Sequence, residues 1–122
     1  MKIRIKGDSV RFRLTKTEVE TFCREGHYGE QTNFNSTTFN YELHAKEGIE
    51  ALEADFHDNT VTLFLPKKEA DKWMDETRVG YENNMTLKNG KTLYLLLEKD
   101  FICLDETIED QSDNYPNPKN SL

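Results

Sequence analysis

Five cations stand at alternating positions near the start of the chain. They are Lys2, Arg4 and Lys6 in the run KIRIK, and Arg11 and Arg13 in the run VRFRL. Neither run contains an acid. Successive side chains of a β-strand point to opposite faces. Lys2, Arg4 and Lys6 therefore share the face opposite Ile3 and Ile5, while Arg11 and Arg13 lie opposite Val10, Phe12 and Leu14. If the two runs pair, all five charges crowd one sheet surface. Guanidinium and ammonium groups recognise phosphate and carboxylate, so these residues are the candidate contacts for an anionic ligand or an acidic protein partner. Like charges directly across a ladder destabilise it, so some compensation is expected.

Other chemistries have weaker support. His27, His44 and His57 are far apart in sequence and fall in different predicted elements. Cys23 and Cys103 are the only cysteines and form no CxxC pair. No spacing matches a zinc or EF-hand site, so no metal and no cofactor is predicted. Asp105, Glu106, Glu109, Asp110 and Asp113 lack the glycine and ligand rhythm of a calcium loop. Cys103 would act as a nucleophile only with a histidine brought to it by the fold. There is no nucleophile elbow and no glycine-rich phosphate loop. The residues thus point to a non-catalytic binding or accessory module. The rival reading is a hydrolase or transferase acting on a phosphate-bearing small molecule, with Glu42, Glu53 and Asp55 lining a strand-walled cavity beside the cations.

The elements that must position these residues come in two sets. Shifting the chain by 51 residues lays 10–29 over 61–80 with six identities, Val10/Val61, Leu14/Leu65, Lys16/Lys67, Glu18/Glu69, Glu25/Glu76 and Gly29/Gly80. Apolar positions also match in kind, as at Phe12/Leu63 and Phe22/Trp73. Self-similarity at a fixed shift is the mark of a structural repeat. Each copy reads β-β-α-β-β. In the first, residues 2–6 and 10–14 form a hairpin. Thr15 caps a helix with Glu18 at the capping-box position, Val19, Phe22 and Cys23 form its apolar stripe, and Gly26 ends it. Residues 28–34 and 38–46 then pair. In the second, residues 51–56 and 61–65 flank a turn with Asn59 suited to positive φ. Pro66 opens a helix with Ala70, Trp73 and Met74 as its stripe. Residues 79–87 and 91–101 close the copy around Asn89-Gly90, a strong hairpin signal. Leu93–Leu97 is apolar on both faces, as a central strand would be.

The predicted fold is α+β: two β-β-α-β-β pseudo-repeats, 2–46 and 53–101, share one core in a mainly antiparallel sheet or barrel with two short helices. Units of that size bury too little surface to stand alone, so residues 1–103 are read as a single domain. Residues 104–122 form an acidic, proline-containing C-terminal tail. The shift also lays Lys2 over Glu53, Arg4 over Asp55 and Lys6 over His57. Side-by-side hairpins would let the first copy's cations be neutralised by the second's acids, and the tail is another internal partner.

Thirteen aromatic residues argue against general disorder. The net charge of −7 repels nucleic acid and anionic membranes alike. No stretch has the length of a membrane span, and the N-terminus lacks the apolar run of a secretory signal, so a cytoplasmic location is expected. The segments MKIRIKG and VRFRLT, EKDFICLD at 98–105 and YPNP at 115–118 together resemble a family of small, uncharacterised bacterial proteins, a domain of unknown function. The resemblance runs from Met1 to Pro118 and implies a bacterial cytosolic protein. It carries over no site, activity or cofactor. A homodimer paired through sheet edges is a further alternative.

Overall fold

The computed structural model describes residues 1–101 and 111–116. Cys103 and the acids from Asp105 to Asp110 lie outside them. The elements run β1 (Lys2–Ile5), β2 (Ser9–Leu14), α1 (Lys16–Glu25), β3 (His27–Asn33), β4 (Thr38–Lys46), β5 (Glu53–His57), β6 (Thr60–Pro66), α2 (Lys67–Ala70), a 3-10 turn (Trp73–Asp75), β7 (Gly80–Thr86) and β8 (Thr92–Lys99).

Local signals set most boundaries. At the start of α1 the Thr15 N–H donates to Glu18 Oε1 at 2.8 Å, half of the reciprocal capping pair that satisfies free backbone donors. Gly26 ends the helix at φ 82°, and its N–H donates to the Phe22 carbonyl at 2.8 Å. Asp58 and Asn59 both hold positive φ (51° and 58°), which the tight β5–β6 turn requires.

The second helix departs from expectation. Pro66 stays extended, with φ −51° and ψ 133°, as the last residue of β6 rather than the first of a helix. Only one α-turn follows before the chain tightens to the 3-10 turn. Three residues per turn replace 3.6, so the expected stripe breaks. Ala70 and Trp73 are buried, whereas Met74 is 36% exposed. Trp73 is core as predicted, and its indole N–H donates to the Arg78 carbonyl at 3.1 Å.

The strands build two open four-stranded sheets, ordered β1-β2-β8-β7 and β3-β4-β6-β5, with no closed barrel. Each sheet draws one strand pair from either half of the chain. The hairpin pairings are antiparallel, but the two central ones, β2 with β8 and β4 with β6, are parallel. The period-2 pattern selects a face and says nothing about direction. What it does select is which strands go to the middle: Val10, Phe12 and Leu14 of β2 and Leu95 and Leu97 of β8 are all buried. β8 is central as Leu93–Leu97 suggested, although Tyr94 and Leu96 stay partly exposed on the outer face.

The inner faces of both sheets meet in one apolar cluster that includes Phe12, Leu43, Leu63, Leu97, Phe22 and Trp73. Phe12 and Tyr41 make an edge-on contact between the sheets, with ring centres 6.4 Å apart. The cations therefore stay outside. Residues 111–116 return to the domain: the Lys16 N–H donates to the Asp113 carbonyl at 2.9 Å, and Tyr115 forms a bridge with Phe101.

Candidate anion-binding face

The ladder between β1 and β2 sets Lys2 directly across from Arg13 and Arg4 across from Arg11. The clustering read from the alternation is therefore present. These four cations and Ile3 line a shallow depression of about 320 Å³ on the outer face of the first sheet.

Compensation comes from a direction the alternation did not indicate. Strand β8 lies beside β2, with Glu98 in register with Arg13. Its carboxylate accepts from Arg13 Nε at 2.7 Å and lies 3.1 Å from Arg11 Nε. One acid thus sits between two guanidinium groups, a charge-assisted arrangement stronger than a neutral hydrogen bond. Lys2 Nζ lies 2.9 Å from the buried Asp100 Oδ2, an ion pair by distance without hydrogen-bond alignment. Glu82 lies in the same cross-sheet row as Arg4 and Arg11 but accepts from the Tyr94 hydroxyl at 2.7 Å.

Arg4 is exposed, and so is Lys6 just beyond the end of β1. Among the described residues, no carboxylate forms an ion pair with either. Among the described residues, the face therefore grades from paired charge at Lys2, Arg11 and Arg13 to Arg4 and Lys6, which have no carboxylate partner there.

The expected ladder of Lys2, Arg4 and Lys6 against Glu53, Asp55 and His57 does not form. The two hairpins belong to different sheets, because the apolar partner of β2 is β8 and not β6. Glu53 instead lies 3.7 Å from Lys46, and His57 lies 3.2 Å from Asp58. Glu42, Glu53 and Asp55 stand on the second sheet and not beside the cations. Phe64 points outward from β6, opposite the buried Val61, Leu63 and Leu65. It is flanked on β4 by His44, with ring centres 6.3 Å apart, and by Lys46, 4.9 Å over its ring.

Two features escaped the sequence reading. Lys99 is 4% exposed. Its ammonium donates to the Glu76 carbonyl at 2.7 Å and lies 5.0 Å from the Tyr115 ring centre. Burial pulls its pKa below the ordinary lysine range. The second is a histidine pair. His27 and His44 are directly opposed on β3 and β4, so two of the three histidines are neighbours rather than distant. The expected strands, 28–34 and 38–46, left His27 outside; the turn closes at Phe34–Thr37 instead, and that register sets 27 against 44. Cys23 is half-buried, and burial raises its thiol.

Among the described residues, no helix is long and apolar enough to cross a membrane. A family model described as a family of unknown function matches residues 1–119. No curated protein matches the chain, and no solved structure does.

Proposed function

This chain belongs to the DUF7009 family, and we propose that it is a small non-catalytic binding module that takes an anionic ligand or an acidic partner on the outer face of β1 and β2. The observation that carries this reading is the pairing of Arg4 with Arg11 on the outer surface, with the acid on β8 engaged by Arg11 and Arg13 and, among the described residues, no carboxylate paired with Arg4 or Lys6. In a chain of net charge −7, a local excess of cations runs against the mean field and concentrates anions where it occurs. Arg4 and Lys6 would make first contact. Arg11, Arg13 and Lys2 would then exchange a carboxylate of the protein for one of the ligand, or for a phosphate.

The wider setting is part of the same proposal. The sequence match at a shift of 51 and the draw of each sheet on both halves of the chain support a twofold pseudo-repeat with a shared core. The resemblance to small bacterial proteins supports a bacterial, cytoplasmic origin.

The test is thermal unfolding against inorganic phosphate, triphosphate, a nucleotide and an acidic peptide, at low and moderate salt. A ligand that binds only the folded state raises the midpoint by mass action. We expect one class to raise it, salt to weaken the effect, and the Arg4→Glu, Lys6→Glu double variant to abolish it while remaining folded. A midpoint insensitive to every compound, or an effect that survives the double variant, overturns the proposal.

A further inference from the structure

The second sheet carries a different chemistry on its outer face. His27 and His44 are paired across β3 and β4, and the Ala45 N–H donates to the Gly26 carbonyl at 2.9 Å. That bond flanks the histidine pair instead of joining it, so His27 and His44 occupy a non-hydrogen-bonded position, where opposed side chains approach most closely. Their ring centres are 5.9 Å apart and the planes are inclined by 31°. A divalent ion bound about 2 Å from each of two imidazole nitrogens would hold the ring centres about 5 Å apart at a tetrahedral angle. The pair is within about 1 Å of that span, a distance that a small χ change covers.

Glu42 completes the arrangement. Its Oε1 lies 2.8 Å from His44 Nε2. An ionised carboxylate only accepts, so a neutral ring bonded to it carries its proton on Nε2 and its lone pair on Nδ1. A carboxylate that fixes the tautomer of a histidine is the usual outer support of a metal-bound imidazole. Gly29, directly across from Glu42, leaves room for this. A Cβ at Gly29 would come within 2.9 Å of Glu42 Cγ. The three residues border a depression of about 520 Å³ that also takes in Gln31 and Asn40.

We propose that His27 and His44 bind a borderline divalent transition-metal ion, such as Zn²⁺, Ni²⁺ or Cu²⁺, with Glu42 as a positioning residue. Imidazole donors favour these ions over Mg²⁺ and Ca²⁺. Among the described residues no group of three or more His, Cys, Asp or Glu side chains is arranged to hold a metal. The remaining coordination positions therefore open to the depression and to an exogenous ligand. This site is independent of the basic face on the other sheet.

The experiment titrates the full chain with Zn²⁺, Ni²⁺ and Cu²⁺ alone, with Mg²⁺ as control, reading thermal midpoint and calorimetric binding. One ion per chain is expected, with no response to Mg²⁺. His27→Ala and His44→Ala should each lower affinity by about 10²-fold, since each removes one arm of a chelate, while His57→Ala leaves it unchanged. The Cu²⁺ spin-resonance spectrum should show two coupled nitrogens in the native chain and one in either histidine variant. Glu42→Ala should lower affinity by roughly tenfold yet keep two nitrogens at saturation. Failure of all three ions to bind, or binding that persists in both histidine variants, overturns the proposal. A Glu42→Ala variant that binds as tightly as the native chain removes Glu42 from it.

Discussion

Gly29 and Gly80 occupy equivalent places under the 51-residue shift, and each faces a glutamate across a hairpin, Glu42 and Glu98. Replacing each by alanine should nevertheless give opposite results. Neither glycine has positive φ, so the difference comes from what the new methyl meets. At Gly80 it would lie 2.2 Å from the Leu97 carbonyl oxygen and 2.9 Å from Glu98 Cα. Both are backbone atoms of the central strand β8. Ordinary contact needs about 3.5 Å, so β7 must move away from β8 by about 1 Å, further than a hydrogen bond of about 2.9 Å tolerates. Losing two ladder bonds at about 1 kcal/mol each, with overpacking strain of at least about 1 kcal/mol, gives a cost of about 3 kcal/mol. At Gly29 the nearest atom is Glu42 Cγ at 2.9 Å, on a side chain that is 40% exposed and able to swing away. That costs under about 1 kcal/mol and is offset by the roughly 0.4–1 kcal/mol gained by restricting the unfolded chain. Equilibrium urea unfolding of Gly29→Ala and Gly80→Ala should therefore separate them by about 2–3 kcal/mol, with Gly29→Ala near the native value. Equal losses within about 0.5 kcal/mol, or a larger loss at Gly29, would refute the account of β7 held tight against β8.

Three further outcomes follow from the charges and rings. Glu98→Gln should lower stability by about 1–2 kcal/mol, since it removes the acid between Arg11 and Arg13. The same change should strengthen binding of an anion to the basic face; weaker binding would mean that Glu98 orients the arginines rather than occupying them. Glu18 should govern part of the acid limb. Burial alone would raise its pKa, but the α-ammonium of Met1, the Thr15 N–H and the Thr15 hydroxyl outweigh it and hold the carboxyl below its ordinary value. A depressed folded pKa contributes stability that is present above the ordinary carboxylate range and is lost as the pH falls through the folded value. Glu18→Gln should thus cost about 1–2 kcal/mol near neutrality and nothing in strong acid, as followed by denaturant midpoints across pH. At alkaline pH the tyrosines act in the opposite sense. Burial, with help from Glu18 and Glu30, pushes Tyr28 up to about 12; burial pushes Tyr115 to about 12 as well. Tyr81 is raised by burial and by Glu69, whose carboxylate its hydroxyl meets at 3.2 Å. A raised folded pKa contributes stability that is complete below the unfolded value of about 10 and is lost as the pH climbs through the folded one. Thermal midpoints should fall from about pH 10 upward, less steeply in Tyr81→Phe. A midpoint flat to about pH 12 would contradict the burial of these phenols.

The candidate site was legible only as a cluster of like charges, where it is carried by neighbours in sequence. Alternation alone placed Lys2, Arg4, Arg11 and Arg13 on one surface, and the ladder confirms their clustering. It could not find their counter-charge, because Glu98 is 85 residues away from Arg13 in the chain and reaches it only through the parallel β2–β8 pairing. The histidines show the same limit from the other side. Treated as separate residues they looked scattered, and the expected strands 28–34 and 38–46 left His27 outside the hairpin; the observed register, one residue different, opposes His27 and His44. Lys99 was invisible because burial of a charge is decided by what covers it, here Trp73 and Tyr115.

By itself the sequence determined the α+β composition, the β-β-α-β-β order of each half, the capped first helix and the buried apolar face of β2. These are effects of local periodicity, capping and turn geometry, and they act over a few residues. Tertiary structure alone decided that the hairpins join through parallel central strands in two open sheets rather than a barrel. It decided too that the second helix shortens after Ala70, and that Glu98 of β8 and Asp100 just after it are set against the basic face. Those outcomes depend on which apolar surfaces find one another, and burial has no direction along the sequence.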